Sequence, residues 1–67
     1  MVEMNPVSSG HIESIGYDAE QELMVVRFKS GDEYAYNNVS YDTFKSIEEA
    51  PSVGSALHRA GLRGNKL

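Results

Sequence analysis

Two histidines, His11 and His58, are the only imidazoles in the chain, and there is no cysteine. A metal site would need both to converge with a carboxylate such as Glu13, and no HxxxH-like spacing draws them together. Serines are frequent, yet none stands in a Gly-x-Ser-x-Gly setting and no Ser/His/Asp order is distinctive. The sequence therefore predicts no metal, no cofactor and no enzyme, and leaves recognition chemistry. Arg27 and Lys29 alternate along an apolar run, placing two cations on one face of a strand. Ser52-Val53-Gly54-Ser55 follows Pro51 and offers two hydroxyls beside a residue with no side chain, a pattern suited to an anion at a helix start. Arg59, Arg63 and Lys66 follow, with no acid after His58. Tyr34 and Tyr36 lie two apart, as base-stacking aromatics on strands do.

Each group also has a purely architectural explanation. Ser52 is a good N-cap, and Gly54 would let a helix pack closely. Arg27 and Lys29 would discourage edge-to-edge strand pairing. The tyrosines would be core residues with hydroxyls at the rim. The basic end would be a solvated terminus.

The elements that position these residues are legible in the hydrophobic pattern. Residues 1–8 read as a flexible arm broken at Asn5-Pro6. His11 to Tyr17 is a weak first strand, and Leu23 to Lys29 is the strongest. The turn at Ser30-Gly31 admits two registers, and a slip of one residue moves every side chain to the other face. A three-residue loop with Gly31 left-handed pairs Phe28 with Asp32, Val26 with Tyr34 and Met24 with Tyr36. Only that register gathers Met24, Val26, Phe28, Tyr34 and Tyr36 on one apolar face. The opposite face then carries Leu23 and Val25, more apolar than water requires, and is expected to be a contact surface.

Ser40 caps a first helix, with Asp42 favoured in its first turn and Tyr41, Phe44 and Ile47 as its core stripe. Pro51 stops it. Ser52 opens a second helix with Val53, Ala56, Leu57 and Ala60 at helical spacing, ended by Gly61. The expected fold is α+β: a three-stranded antiparallel β-meander packed against two short C-terminal helices. Residues 9–62 form the single domain and 63–67 a basic tail.

The chain has 67 residues and a formal net charge of −4. So short a chain buries only about 60% of its unfolded surface, and small scaffolds usually need a staple. Disulfides are excluded, so a homo-oligomer is expected. Neither a signal peptide nor a membrane span is read in the chain, and a cytoplasmic home is expected. Ten acids against three bases precede residue 58, which argues against a generic polyanion binder.

Ser8-Ser9, Ile15-Gly16-Tyr17-Asp18, Met24-x-Val26-x-Phe28, Ser30-Gly31, Tyr34-x-Tyr36, Val39 and Ala50-x-Ser52-x-Gly54 fall in an order that resembles the KTSC domain. That family is named for its occurrence at the C-terminus of some lysyl-tRNA synthetases, with stand-alone members in bacteria and phages. The resemblance covers about residues 8 to 60. It departs from the family at Ser40, where proline is usual, at Leu57-His58, and at Gly61-Leu62-Arg63-Gly64, which replaces a final strand. The resemblance implies no established activity and suggests a binding module for RNA or a nucleotide-type anionic ligand. Arg27, Lys29, Ser52, Gly54, Ser55, Arg59 and Arg63 would make the contacts. The alternative is a protein-interaction module acting through Leu23 and Val25: a phage-encoded inhibitor, an accessory factor, or an oligomeric sponge for a nucleotide signal.

Overall fold

The computed structural model describes residues 2–67. Among these described residues, five strands and two helices follow in order: β1 (Met4–Pro6), β2 (Ile12–Asp18), β3 (Leu23–Phe28), β4 (Glu33–Tyr36), α1 (Tyr41–Glu48), α2 (Val53–Arg59) and β5 (Gly64–Lys66). The strands form one antiparallel sheet in sequential order. The fold is α+β, as expected, with two strands more than the three read from the pattern.

The central hairpin takes the three-residue loop. Val26 pairs with Tyr34 and Met24 with Tyr36. The Phe28 N–H donates to the Asp32 carbonyl at 2.8 Å, and Gly31 sits at φ +100°, a conformation glycine adopts without penalty. This register puts Met24 and Val26 into the core with Ile12, Ile15, Tyr36, Val39, Phe44, Ile47 and Val53. Phe28, Tyr34 and Leu57, expected in the core, are half-buried at its margin.

The helices begin where their caps predict. Ser40 Oγ accepts from the Thr43 N–H, and Ser52 Oγ from the Ser55 N–H; each such cap is worth about 1 kcal/mol. Phe44 and Ile47 face the sheet, and the Phe44 ring stacks on Tyr17 with centroids 4.9 Å apart. The Tyr17 hydroxyl donates to the Val39 carbonyl at 2.6 Å, tying the β4–α1 loop to the core. Tyr41 departs from expectation: it is 55% exposed, with its ring against Lys45 Nζ. Tyr41 opens the helix at the outer edge of a stripe spanning about 120°, with its ring beside Tyr17 and Phe44 at the margin of the core.

Both extra strands lie where no periodicity announces them. Met4–Pro6, read within a flexible arm, pairs with β2 in the register Met4–Gly16 to Pro6–Ser14. A Cβ at Gly16 would stand 2.5 Å from Val2 Cγ1 and 2.6 Å from the Glu3 carbonyl oxygen, so glycine is what lets this segment approach. Gly64–Lys66, read as tail, pairs with β4. The Tyr36 ring covers Gly64, with Cε2 and Cζ 2.7 Å from where a Cβ would be; an aromatic over a cross-strand glycine compensates the missing side chain. The final strand that the resemblance treated as replaced is present.

On the face away from the helices, one cross-sheet row runs Met4, Gly16, Val25, Ala35, Asn65. Val25 is only 9% exposed and Leu23 half-buried. Of the patch expected there, Val25 is covered while Leu23 keeps part of its surface in water; the N-terminal segment lies over Gly16 beside Val25.

Candidate ligand groove

Beyond the turn that precedes β2, the sheet and α2 diverge and leave a two-lobed groove. The larger lobe, about 800 Å³, runs between Ser9–Ile12 and α2, with Phe28 and Leu57 supplying apolar wall. The smaller lobe, about 400 Å³, lies toward the central hairpin, bounded by Lys29, Ser30, Asp32, Tyr34 and Tyr36. Gly10, His11 and Phe28 border both lobes, which adjoin along these residues. Volumes of this order accommodate small organic ligands.

Local structure fixes most of this wall. Ser9 Oγ accepts from the His11 and Ile12 N–H groups at 3.3 Å, holding the turn that delivers His11 to the groove. The Lys29 N–H donates to the His11 carbonyl at 2.8 Å and clamps the two segments together. Phe28 and Tyr34 meet edge-to-face with centroids 5.6 Å apart, so their remaining ring surface lines the smaller lobe. Burial, and secondarily the nearby Tyr34, raises the Tyr36 pKa above its ordinary value, so its hydroxyl stays protonated and neutral at physiological pH.

The charge of the groove opposes that of the whole chain. The larger lobe is lined by His11, His58 and Arg59 and, among the described residues, by no carboxylate. The smaller lobe has Lys29 and a single acid, Asp32. Asp32 Oδ1 lies 3.4 Å from Lys66 Nζ and Oδ2 accepts from Ser30 Oγ at 3.3 Å, with the carboxylate still half-exposed.

Of the residues singled out in the sequence, Lys29, Ser52, Gly54, Ser55 and Arg59 come together on this groove. Arg27 and Arg63 do not line it. Arg27 lies on the opposite face of the sheet, where its Nε donates to Glu33 at 2.6 Å and Glu13 is 3.8 Å away, so its charge is already answered. The hydroxyls of Ser52 and Ser55 bond each other at 3.1 Å, and α2 has only seven residues. Side chains, rather than the helix end, therefore carry the chemistry. His11 and His58 do meet on the groove. Among the described residues, however, no group of three or more His, Cys, Asp or Glu side chains is disposed to hold a metal ion.

Gly54 sharpens the picture. A Cβ there would meet only Ser9 Oγ, at an ordinary 3.7 Å, so packing does not demand glycine. Glycine within a helix costs about 0.5–1 kcal/mol relative to alanine. Gly54→Ala is therefore expected to raise thermal stability slightly while narrowing the groove and weakening ligand binding. Thermal melts beside a ligand titration check it; a variant that gains stability and binds undiminished would remove Gly54 from the site.

The fold and sequence define a class. Residues 8–60 match the KTSC domain, and the chain belongs to that family. It is 37% identical over 51 residues to a protein from Tsukamurella paurometabola, covering 76% of each chain. It is 38% identical over 48 residues to an uncharacterized protein from Stutzerimonas stutzeri, covering 72% of this chain and 68% of that one. The crystal structure of a KTSC domain protein from Yersinia pestis superposes with a TM-score of 0.90 at 26% identity, over 100% of this chain and 99% of that one. Among the described residues no helix is long and apolar enough to cross a membrane.

Proposed function

We propose that this KTSC domain is a non-enzymatic binding module whose groove takes a small nucleotide-type anionic ligand. One observation carries the reading: in a chain of net charge −4, the larger lobe is walled by two imidazoles and an arginine with no carboxylate, against a half-buried phenylalanine. An anion gains there from the Arg59 guanidinium and the imidazole N–H donors beside low-dielectric walls. A flat ring gains from Phe28 and Tyr34.

The synthetase association that the sequence resemblance suggests motivates RNA as the larger alternative. A strand of RNA would have to run beyond the groove onto cationic surface. Arg27 is engaged by two glutamates and Lys66 lies against Asp32, so a mononucleotide suits the surface better. The protein-interaction alternative rests on the acidic surface and on Leu23, which is half-buried, since Val25 is only 9% exposed.

The test is a titration of the isotopically labelled protein with 5′-AMP, 5′-GMP and a single-stranded RNA octamer at 50 and 300 mM NaCl. Amide shifts should cluster at Gly10, His11, Lys29, Ser55, His58 and Arg59, with affinity falling about three- to tenfold across that salt range as screening grows. Tighter binding of the octamer with a steep salt slope would move the reading to RNA. No binding of any of the three would overturn it.

A further inference from the structure

The two lobes differ in what they ask of a ligand, and the smaller one is selective. Its lining combines aromatic surface from Phe28 and Tyr34 with one carboxylate, Asp32, one ammonium, Lys29, the His11 imidazole and a neutral hydroxyl, Ser30. Among the described residues, the larger lobe's one formally charged side chain is Arg59, beside two imidazoles. A ligand spanning both can set an anion at one end and, at the other, hydrogen-bond donors against Asp32 with an acceptor toward Lys29, joined by a flat apolar body. We infer that the groove selects a guanine mononucleotide, with phosphate toward His11, His58 and Arg59 and the base edge toward Asp32.

The choice among bases follows from donor pattern. A carboxylate accepts hydrogen bonds and offers none. Guanine presents two adjacent donors, N1–H and the 2-amino group, which match the two oxygens of one carboxylate. Adenine places the acceptor N1 beside its amino group, and cytosine places the acceptor N3 beside its own, so each sets a lone pair against Asp32. Uracil has one N–H flanked by two carbonyls. A polar site of this kind rejects a mismatched edge because a group is then left unpaired or opposed. Lys66 and Ser30 hold the carboxylate from either side without covering it: its side chain is 47% exposed.

This inference rests on the nucleotide-binding reading, and the experiment separates the two. Calorimetric titrations with 5′-GMP and 5′-AMP are compared for the native chain and for Asp32→Asn. Native protein is expected to prefer GMP by about tenfold, the scale of one matched polar contact to a charged group. Asp32→Asn supplies an acceptor and a donor, the complement of the adenine edge, and is expected to abolish or invert the preference. The Asp32 side chain is half-exposed and the turn uses its backbone carbonyl, so the variant is expected to fold; an amide correlation spectrum checks it. Equal affinity for GMP and AMP in the native chain, or a GMP preference untouched by Asp32→Asn, overturns the guanine assignment and leaves the anionic groove standing. Absence of binding by both nucleotides overturns both.

Discussion

In a Gly16→Ala variant the first strand is expected to leave the sheet. The new Cβ would stand 2.5 Å from Val2 Cγ1, 2.6 Å from the Glu3 carbonyl oxygen and 2.7 Å from Met4 Sδ. Two of these are flexible side chains and can turn aside, but the carbonyl belongs to the backbone and cannot move without the strand. Overpacking of this kind costs about 1–3 kcal/mol. A three-residue strand with Pro6 in it has little to set against that cost. The upper limit is the free energy that docks residues 2–6, because the chain relieves the clash by undocking. For a domain of this size, whose whole stability is about 3–10 kcal/mol, even that limit is a large fraction.

The readout is local and global at once. The Val7 N–H donates to the Glu13 carbonyl at 3.2 Å, just beyond β1, so its amide exchange reports the docked state. In Gly16→Ala its protection should fall toward that of a free segment, and the urea midpoint should drop with it. Gly16 would lose the cover that the N-terminal segment gives it, next to Val25 in the same cross-sheet row. Unchanged Val7 exchange and an unchanged midpoint would show that the segment tolerates the methyl group, and the close approach at Gly16 would lose its meaning.

That dependence on one glycine explains which parts of the fold are legible in the sequence. The hairpin is, because Ser30-Gly31 sets the turn and alternate apolar residues set the register. Both helices are, because Ser40, Ser52, Pro51 and Gly61 mark their ends. The edge strands are not: each has three residues and no apolar period, and exists only where the sheet offers a place. Their signals are Gly16 and Gly64, glycines in extended contexts, one vacating space for a backbone and one lying under Tyr36. The groove is half legible. Lys29, Ser52, Gly54, Ser55 and Arg59 carry recognisable chemistry, yet nothing local says that His11 and His58, 47 positions apart, face one cavity. Arg27 fails for the converse reason. Its charge looks free in the sequence, and only cross-strand pairing brings Glu33 opposite it and Glu13 near it.

The same geometry separates the cations into two sets with opposite expected behaviour. Lys29 and Arg59 are exposed on the groove, one per lobe, and neither has a carboxylate partner within 4 Å among the described residues. Losing a hydrogen bond to a charged group costs about 1.5–3 kcal/mol, and reversing the charge adds repulsion. The double variant Lys29→Glu/Arg59→Glu is therefore expected to weaken nucleotide binding by at least about a hundredfold. Arg27→Gln and Arg63→Glu, both outside the groove, are expected to change affinity by less than about twofold. The double variant should still fold: Lys29 makes its structural contact through the backbone N–H, and Arg59 sits in the last helical turn, where an acid costs under about 1 kcal/mol. Thermal melts of all four proteins separate lost binding from lost structure. A folded double variant that binds as tightly as the native chain would place the ligand elsewhere. Equal losses in all the variants would mean that the whole basic surface, rather than the groove, attracts it.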